Sequence, residues 1–288
     1  MSSPPPVPRL LPSALLERYD VVLLDSYGVL VDEHGTLPGA IDFITRLRGS
    51  GRRWMVLSND ASRRPPTSVA RYRERGLAID AEHLLTSGDL ISPYFAQAGL
   101  VGRRCVVLGP PDSHALVAEA GGELVPVDDP ELEVLVACDD AGYPFRETVE
   151  TLVSTLYARL AADRPVALVL PNPDLVYPRG SGTFGLTAGS VARLLEGALA
   201  LRFPEEAPRF VGLGKPHAPI FEHALARLRV EPGARVVMVG DQLATDVAGA
   251  RAMGLDAVLV ATGVSDPRRL PAHGPRPTAW LESLVATR

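Results

Sequence analysis

The sequence predicts an α/β protein built on a doubly wound parallel sheet, and three observations carry that expectation. Short apolar runs rich in β-branched residues, such as VVLLD at Val21–Asp25, RVVMVGD at Arg235–Asp241 and DAVLVAT at Asp256–Thr262, read as strands buried on both faces. Segments with apolar residues close to helical period lie between them. Strand and helix signals alternate along most of the chain, a rhythm that favours a parallel sheet with right-handed crossovers. At 288 residues and 46% hydrophobic, the chain has material for two packed lobes.

The elements follow in order. After the strand ending at Asp25, Ile41, Ile44 and Leu47 mark a helix from Ala40 that stops at Gly49 and Gly51, and RWMVLSND supplies the next strand. A helix at Thr67–Arg75, a short strand at Leu84–Thr86 and a helix at Ser87–Ala98 continue the pattern. A second series begins at Cys105–Gly109 and takes in ELVPV, EVLVACD, a long helix at Phe145–Asp163 and PVALVLPNPD. The segment PNPDLVYPRGSG, with its three prolines, reads as a hinge. Beyond it come a helix at Leu186–Leu199, an FVGLGKP loop, helices at Ala218–Leu228 and Ala244–Met253 on either side of RVVMVGD, and a final surface helix in WLESLVATR.

Composition excludes several classes of partner. A net charge of -5 leaves no basic stripe for nucleic acid or a membrane surface, so a small molecule is the expected partner. Cys105 and Cys138 both sit in apolar runs, which argues against a disulfide framework and fits a reducing cytosol. The N-terminus lacks a basic leader region and its apolar stretch is broken by prolines; no run approaches the roughly 18 apolar residues of a membrane span. The expectation is a cytoplasmic, soluble protein with a short disordered N-terminal tail.

Four groups fall where strands end or helices begin, the edge at which open α/β sheets hold ligands. They are Asp25 in DSYGVL, Ser58 and Asn59 in LSND, Lys215 in GLGKPHAPIF, and Asp241 with Asp246 in GDQLATDV. Of 29 basic residues only Lys215 is lysine, which suits a site needing a compact ammonium and not a planar guanidinium. Together they supply what phosphoryl transfer through an aspartyl-phosphate requires: a carboxylate nucleophile, oxygen ligands for Mg2+, a fixed cation and hydrogen-bond donors. In that chemistry Asp25 and Asp241 hold magnesium, Lys215 neutralises the nucleophile and the phosphate, and Ser58 donates to a phosphate oxygen. A helix N-terminus after Asn59 would add its dipole.

In order and context these motifs resemble the four motifs of the haloacid dehalogenase superfamily over nearly the whole chain. GKPHAPIF, PNPDLVYP and GDQLATDVAGA resemble the subclass with a large α/β cap inserted between the second and third motifs, which includes nucleotide and pyridoxal-phosphate phosphatases. The resemblance implies a Rossmann-like core at 1–89 and 179–288 and a cap at 90–178 that seals the site, selects a small phosphorylated metabolite and in this subclass often mediates homodimers. It implies Asp25, Tyr27, Ser58, Asn59 and Lys215 as the catalytic set. It places Asp25, Asp241, Asp246 and the main-chain carbonyl of Tyr27 around the metal, and Asp60, Asn172 and Asp174 near substrate with Ser58, Asn59 and Lys215. For Asn172 and Asp174 an Asx-Pro turn is an equal alternative. His34 and His217 are expected in turns or solvent.

One residue departs from the pattern. Most phosphatases of this superfamily carry a second aspartate, the general acid, two positions after the nucleophile, where this chain has Tyr27. A phenol with an ordinary pKa of about 10 is a poor acid-base catalyst at neutral pH, and such catalysis contributes roughly 10²- to 10⁴-fold. Three readings stay open: a phosphatase favouring substrates with good leaving groups, a 2-haloacid dehalogenase, whose D-x-Y-G pattern is similar, and a phosphometabolite-binding protein. The paired aspartates of GDQLATD favour the metal-dependent hydrolase.

Overall fold

A computed structural model describes residues 6–286 as two parallel sheets with helices on their faces. The first half of the main sheet is β1 (Val21–Leu24), β2 (Arg53–Ser58) and β3 (Leu84–Thr86), with helices α1 (Pro12–Arg18), α2 (Ala40–Gly49) and α3 (Pro65–Glu74) around it, and α4 (Ile91–Ala98) follows β3. The inserted series has β4 (Arg104–Leu108), α5 (Pro111–Glu119), β5 (Glu123–Leu124), β6 (Val134–Ala137), α6 (Phe145–Ala161) and β7 (Ala167–Leu170). A hairpin, β8 (Val176–Gly180) with β9 (Thr183–Leu186), is followed by α7 (Ala188–Arg202) and β10 (Val211–Gly212). The chain closes with α8 (Ala218–Arg227), β11 (Val236–Gly240), α9 (Ala248–Ala252), β12 (Asp256–Val260) and β13 (Ala279–Leu281).

Strand order in the main sheet is β13-β12-β11-β1-β2-β3, and in the second sheet β10-β7-β6-β4-β5, every pairing parallel. The unbroken apolar runs are explained by burial on both faces. In β1, Val21 and Leu23 pack into one hydrophobic cluster and Val22 and Leu24 into another, where Phe43, Ile44 and Leu47 of α2 cover them. The first cluster runs on through Phe95 and Leu116 to Cys105, Val107, Val134 and Val136 of the second sheet, so one continuous apolar core joins the two layers. Both cysteines are buried and free, and no helix among the described residues is long and apolar enough to cross a membrane.

The structure corrects four expectations. Residues 12–18 of the expected disordered tail form α1, with Pro12 in the first turn, where its missing N–H costs nothing, and Leu15 wholly buried; residues 1–5 lie outside the described set. The C-terminal WLES is no helix: Ala279–Leu281 pairs with β12 as an edge strand, its side chains alternating buried, half-buried, buried. The expected hinge, 171–182, holds β8 and the turn of a hairpin that β9 completes. The helix expected from Ala244 opens with a π-helical turn at Leu243–Val247 before α9.

Sheet membership also bears on the cap. We propose that the cap runs from about residue 90 to 212, not to 178, because α7 packs its buried face on β6 and β7 and β10 extends the second sheet.

Candidate active site

Neighbouring strands β11, β1 and β2 deliver the motif residues to one edge. Asp25 continues β1 by one residue, its N–H donating to Val239 O at 2.8 Å. Asp241 follows β11 directly, and Ser58 ends β2. The structure thus assembles Asp25, Ser58, Asn59, Lys215, Asp241 and Asp246, all buried, from positions distributed over most of the chain.

Lys215 is the centre of this arrangement. Its Nζ, on a residue 1% exposed, donates to Asp25 Oδ1 at 2.6 Å and to Asp246 Oδ1 at 2.7 Å. Burial opposes its charge, but Asp246, Asp25 and Asp174 more than offset that penalty and its pKa is raised. Asn59 fixes the lysine backbone: its Nδ2 donates to Lys215 O at 2.9 Å while Lys215 N–H donates to its Oδ1 at 2.7 Å. Both polar ends of that amide are therefore occupied by Lys215.

The acidic side is equally constrained. Asp246 Oδ2 accepts the N–H groups of Asp241 and Gln242, each at 3.0 Å, a contact made by the π turn that swings it back over the end of β11. Asp241 Oδ2 accepts Val264 N–H at 2.8 Å, whereas its Oδ1 is buried with no hydrogen-bond partner. Gly28 (φ +78°) and Gly263 admit this carboxylate, since a Cβ there would lie 2.4 and 2.0 Å from Asp241 Oδ2.

Carboxyl oxygens of Asp25, Asp241 and Asp246 lie within 4.8 Å of one another. Burial first, then Asp246, pushes Asp25 up to about 6 against the pull of Lys215. Asp241 is raised well above the usual carboxylate range by burial and by Asp25 and Asp246. Three buried carboxylates facing one ammonium, with a bare oxygen on Asp241, are a donor set that fits a hard divalent cation.

A pH dependence of stability follows. Because Asp25 and Asp241 titrate above the unfolded carboxylate value, the folded chain binds more protons than the unfolded one from about pH 4 upwards through their folded pKa values, and stability there falls as pH rises. Metal-free protein should melt lower at about pH 8 than at about pH 5, and Mg2+ should raise the melting temperature more at the higher pH. Asp241→Asn should flatten both trends; melting curves with the same pH slope in the variant would refute the assignment.

The remaining expected residues line a cavity of about 620 Å³ between the two sheets. Ser58 Oγ accepts Asp60 N–H at 3.2 Å, which leaves its own proton free to donate. Asp60 is committed to Ser62 N–H and Oγ at 2.8 and 2.6 Å and to Arg63 at 3.0 Å. That Asx turn replaces the helix N-terminus expected after Asn59; α3 starts only at Pro65.

Asn172 Oδ1 accepts Asp174 N–H at 3.1 Å, an Asx turn, yet both residues also line the cavity. Burial pushes Asp174 up to about 7 against Lys215, with Asp25 and Asp246 adding to the rise. His217 precedes α8, with its ring packed over Gly212, and His34 lies in an exposed turn, so neither belongs to the acidic cluster.

The Tyr27 hydroxyl accepts a hydrogen bond from Arg71, whose guanidinium lies 5.6 Å from the ring centroid. The ring also meets Tyr177 of the hairpin edge-on at 5.6 Å. Sequence reasoning missed Tyr177, Arg63, Asp139 and Asp140, all on the cavity wall. Asp139 and Asp140 end the run VLVACDD, a strand-end carboxylate signal of the kind that singled out Asp25.

The family model Haloacid dehalogenase-like hydrolase matches residues 22–123, and a HAD-hydrolase-like model matches 212–287. Dihydroxyacetone phosphatase of Corynebacterium glutamicum is 29% identical over 91% of this chain and 88% of its own length. Chronophin of Bos taurus is 30% identical over 86% and 83%. The crystal structure of a possible sugar phosphatase from Cytophaga hutchinsonii superposes with a TM-score of 0.85 at 28% identity, covering 98% of this chain and 100% of that one.

Proposed function

Because this chain belongs to the haloacid dehalogenase-like hydrolases, in the large-cap phosphatase branch, we propose that it hydrolyses a small phosphorylated metabolite through an aspartyl-phosphate on Asp25, with Mg2+ as its cation. The observation that carries this reading is the Asp25–Lys215–Asp246 chain beside the unpartnered Asp241 oxygen, buried at the end of a substrate-sized cavity. The name of one relative reported above, a dihydroxyacetone phosphatase, points the same way.

Asp25 attacks phosphorus as the ester P–O bond breaks and the alcohol oxygen leaves, taking a proton from solvent; water then attacks phosphorus and frees phosphate and the Asp25 carboxylate, while Lys215 holds that carboxylate in place and offsets the charge on the equatorial oxygens. Ser58 donates its free hydroxyl proton to a phosphate oxygen. Asp25 and Asp241 would hold the cation with the Tyr27 carbonyl, whereas the two oxygens of Asp246 already serve Lys215 and the β11 loop. When bound, the cation masks carboxylate charge so that a phosphate dianion can approach. A metal-free dehalogenase would leave Asp241 buried beside Asp25 with no compensation, which disfavours that reading.

The test is phosphate release from an aryl and an alkyl phosphate, with Mg2+ and with EDTA. Release should need the cation, and release undiminished by EDTA would refute the proposed mechanism. Tyr27→Asp should raise alkyl-ester turnover by at least about tenfold and aryl-ester turnover little, since aryl oxides leave unprotonated. Equal small changes on both esters would show that protonation of the leaving group does not limit the rate.

A further inference from the structure

The cavity has two walls of different chemistry. The main-sheet wall carries the phosphate machinery. The cap contributes the ends of its own parallel strands: Pro110 and Pro111 after β4, Asp139, Asp140 and Ala141 after β6, and Asn172 and Asp174 after β7. In an in-line displacement the alcohol leaves on the side of phosphorus away from Asp25, so it leaves towards the part of the cavity that main-sheet residues do not fill.

The cations on these walls are already engaged. Arg63 pairs with Asp60 at 3.0 Å and also donates to Ser62. Arg179 pairs with Glu33 at 3.4 Å and donates to Tyr177 Oη at 3.1 Å. Among the described residues no salt bridge reaches Asp139 or Asp140. Asp139 Oδ1 accepts Ala141 N–H at 3.0 Å, and its carbonyl accepts the Tyr143 hydroxyl at 3.2 Å, contacts that hold the loop against the cavity.

Resting on the phosphatase reading, we propose that Asp139 and Asp140 select the alcohol half of the substrate. They accept hydrogen bonds from a neutral, hydroxyl-bearing group and repel a leaving group that carries a carboxylate or a second phosphate. Burial first, then Asp140, through its charge and a hydrogen bond between the two carboxyls, and Asp60 push Asp139 up to about 6 against its bond from Ala141. Hydroxyl donors to charged acceptors are among the stronger protein hydrogen bonds, and like charges brought together in a partly buried cavity are costly.

Three esters test it: glycerol 3-phosphate, phosphoglycolate and p-nitrophenyl phosphate, each with Mg2+. The wild-type chain should favour glycerol 3-phosphate over phosphoglycolate by at least about tenfold in kcat/KM. In the Asp139→Asn/Asp140→Asn double variant that ratio should fall by at least about tenfold, mainly through a gain on phosphoglycolate. The ratio is internally controlled, because a general catalytic defect scales both esters alike. Should the double variant lose its cooperative melt, Asp140→Asn alone should move the ratio the same way. An unchanged ratio in a folded variant, or a wild-type preference for phosphoglycolate, overturns the assignment while aryl turnover keeps the phosphatase reading intact. No release from any of the three esters by the wild type overturns both.

Discussion

Asp25→Asn should abolish phosphate release, by at least about four orders of magnitude in kcat, while leaving a folded protein. The carboxamide matches the carboxylate in size, and the N–H of residue 25 keeps its bond to Val239, so strand register is preserved. Burial of the charged side chain is what the native residue works against, since Asp25 is pushed up to about 6, and the neutral amide removes that penalty. The variant should therefore melt at or above the wild-type temperature in metal-free buffer at neutral pH while losing its response to Mg2+. Residual turnover within a factor of ten of the native enzyme, checked by phosphate release on an aryl ester, would exclude Asp25 as the nucleophile.

Lys215 should give the second large effect, this time on stability and activity together. Lys215→Met fills a similar volume but strands Asp25 and Asp246, both buried, without their shared ammonium. Removing one partner of a buried ion pair costs about 3–5 kcal/mol, so the metal-free variant should lie close to unfolding at neutral pH and recover at lower pH as the stranded carboxylates protonate. Lys215→Arg keeps a charge but offers a planar fork where a point charge now reaches two carboxylates at 2.6 and 2.7 Å. We expect a rate loss of at least about tenfold, or about 1.4 kcal/mol in the transition state. Kinetics of Lys215→Arg equal to wild type would mean that position 215 needs only a cation.

The α/β rhythm was legible because both faces of each central strand are covered, which leaves β1 and β11 as uninterrupted apolar runs. Where that condition fails, the sequence signal is weak. Strand β13 is three residues long at a sheet edge, too short for its alternation to outweigh the helical look of WLES. Strand β10 has only two residues, so nothing in FVGLGKP signals that it extends the second sheet.

Motif positions came together at one strand edge as expected, yet spacing alone could not apportion their work. Asn59 sits beside Ser58 in sequence but turns its amide to the backbone of Lys215. Asp139 and Asp140 carry no signal of which sheet edge the cavity meets, because that depends on how the two layers pack through the apolar core they share.

The order of strands in the main sheet has a consequence for how the protein is made. Strand β1 is completed on one side by β2, which leaves the ribosome soon after it, and on the other by β11, which emerges only after the whole inserted layer. Until then one edge of the Asp25 strand has no partner, and neither Lys215 nor Asp241 is in place beside Asp25. Parallel pairing between such distant segments is slow to form, so the unfinished chain passes through a period with a bare apolar edge. Catalytic competence and closure of the sheet then arrive together, with the last quarter of the sequence. A nascent or prematurely ended chain is thus an exposed substrate for chaperones and proteases before it can be an enzyme.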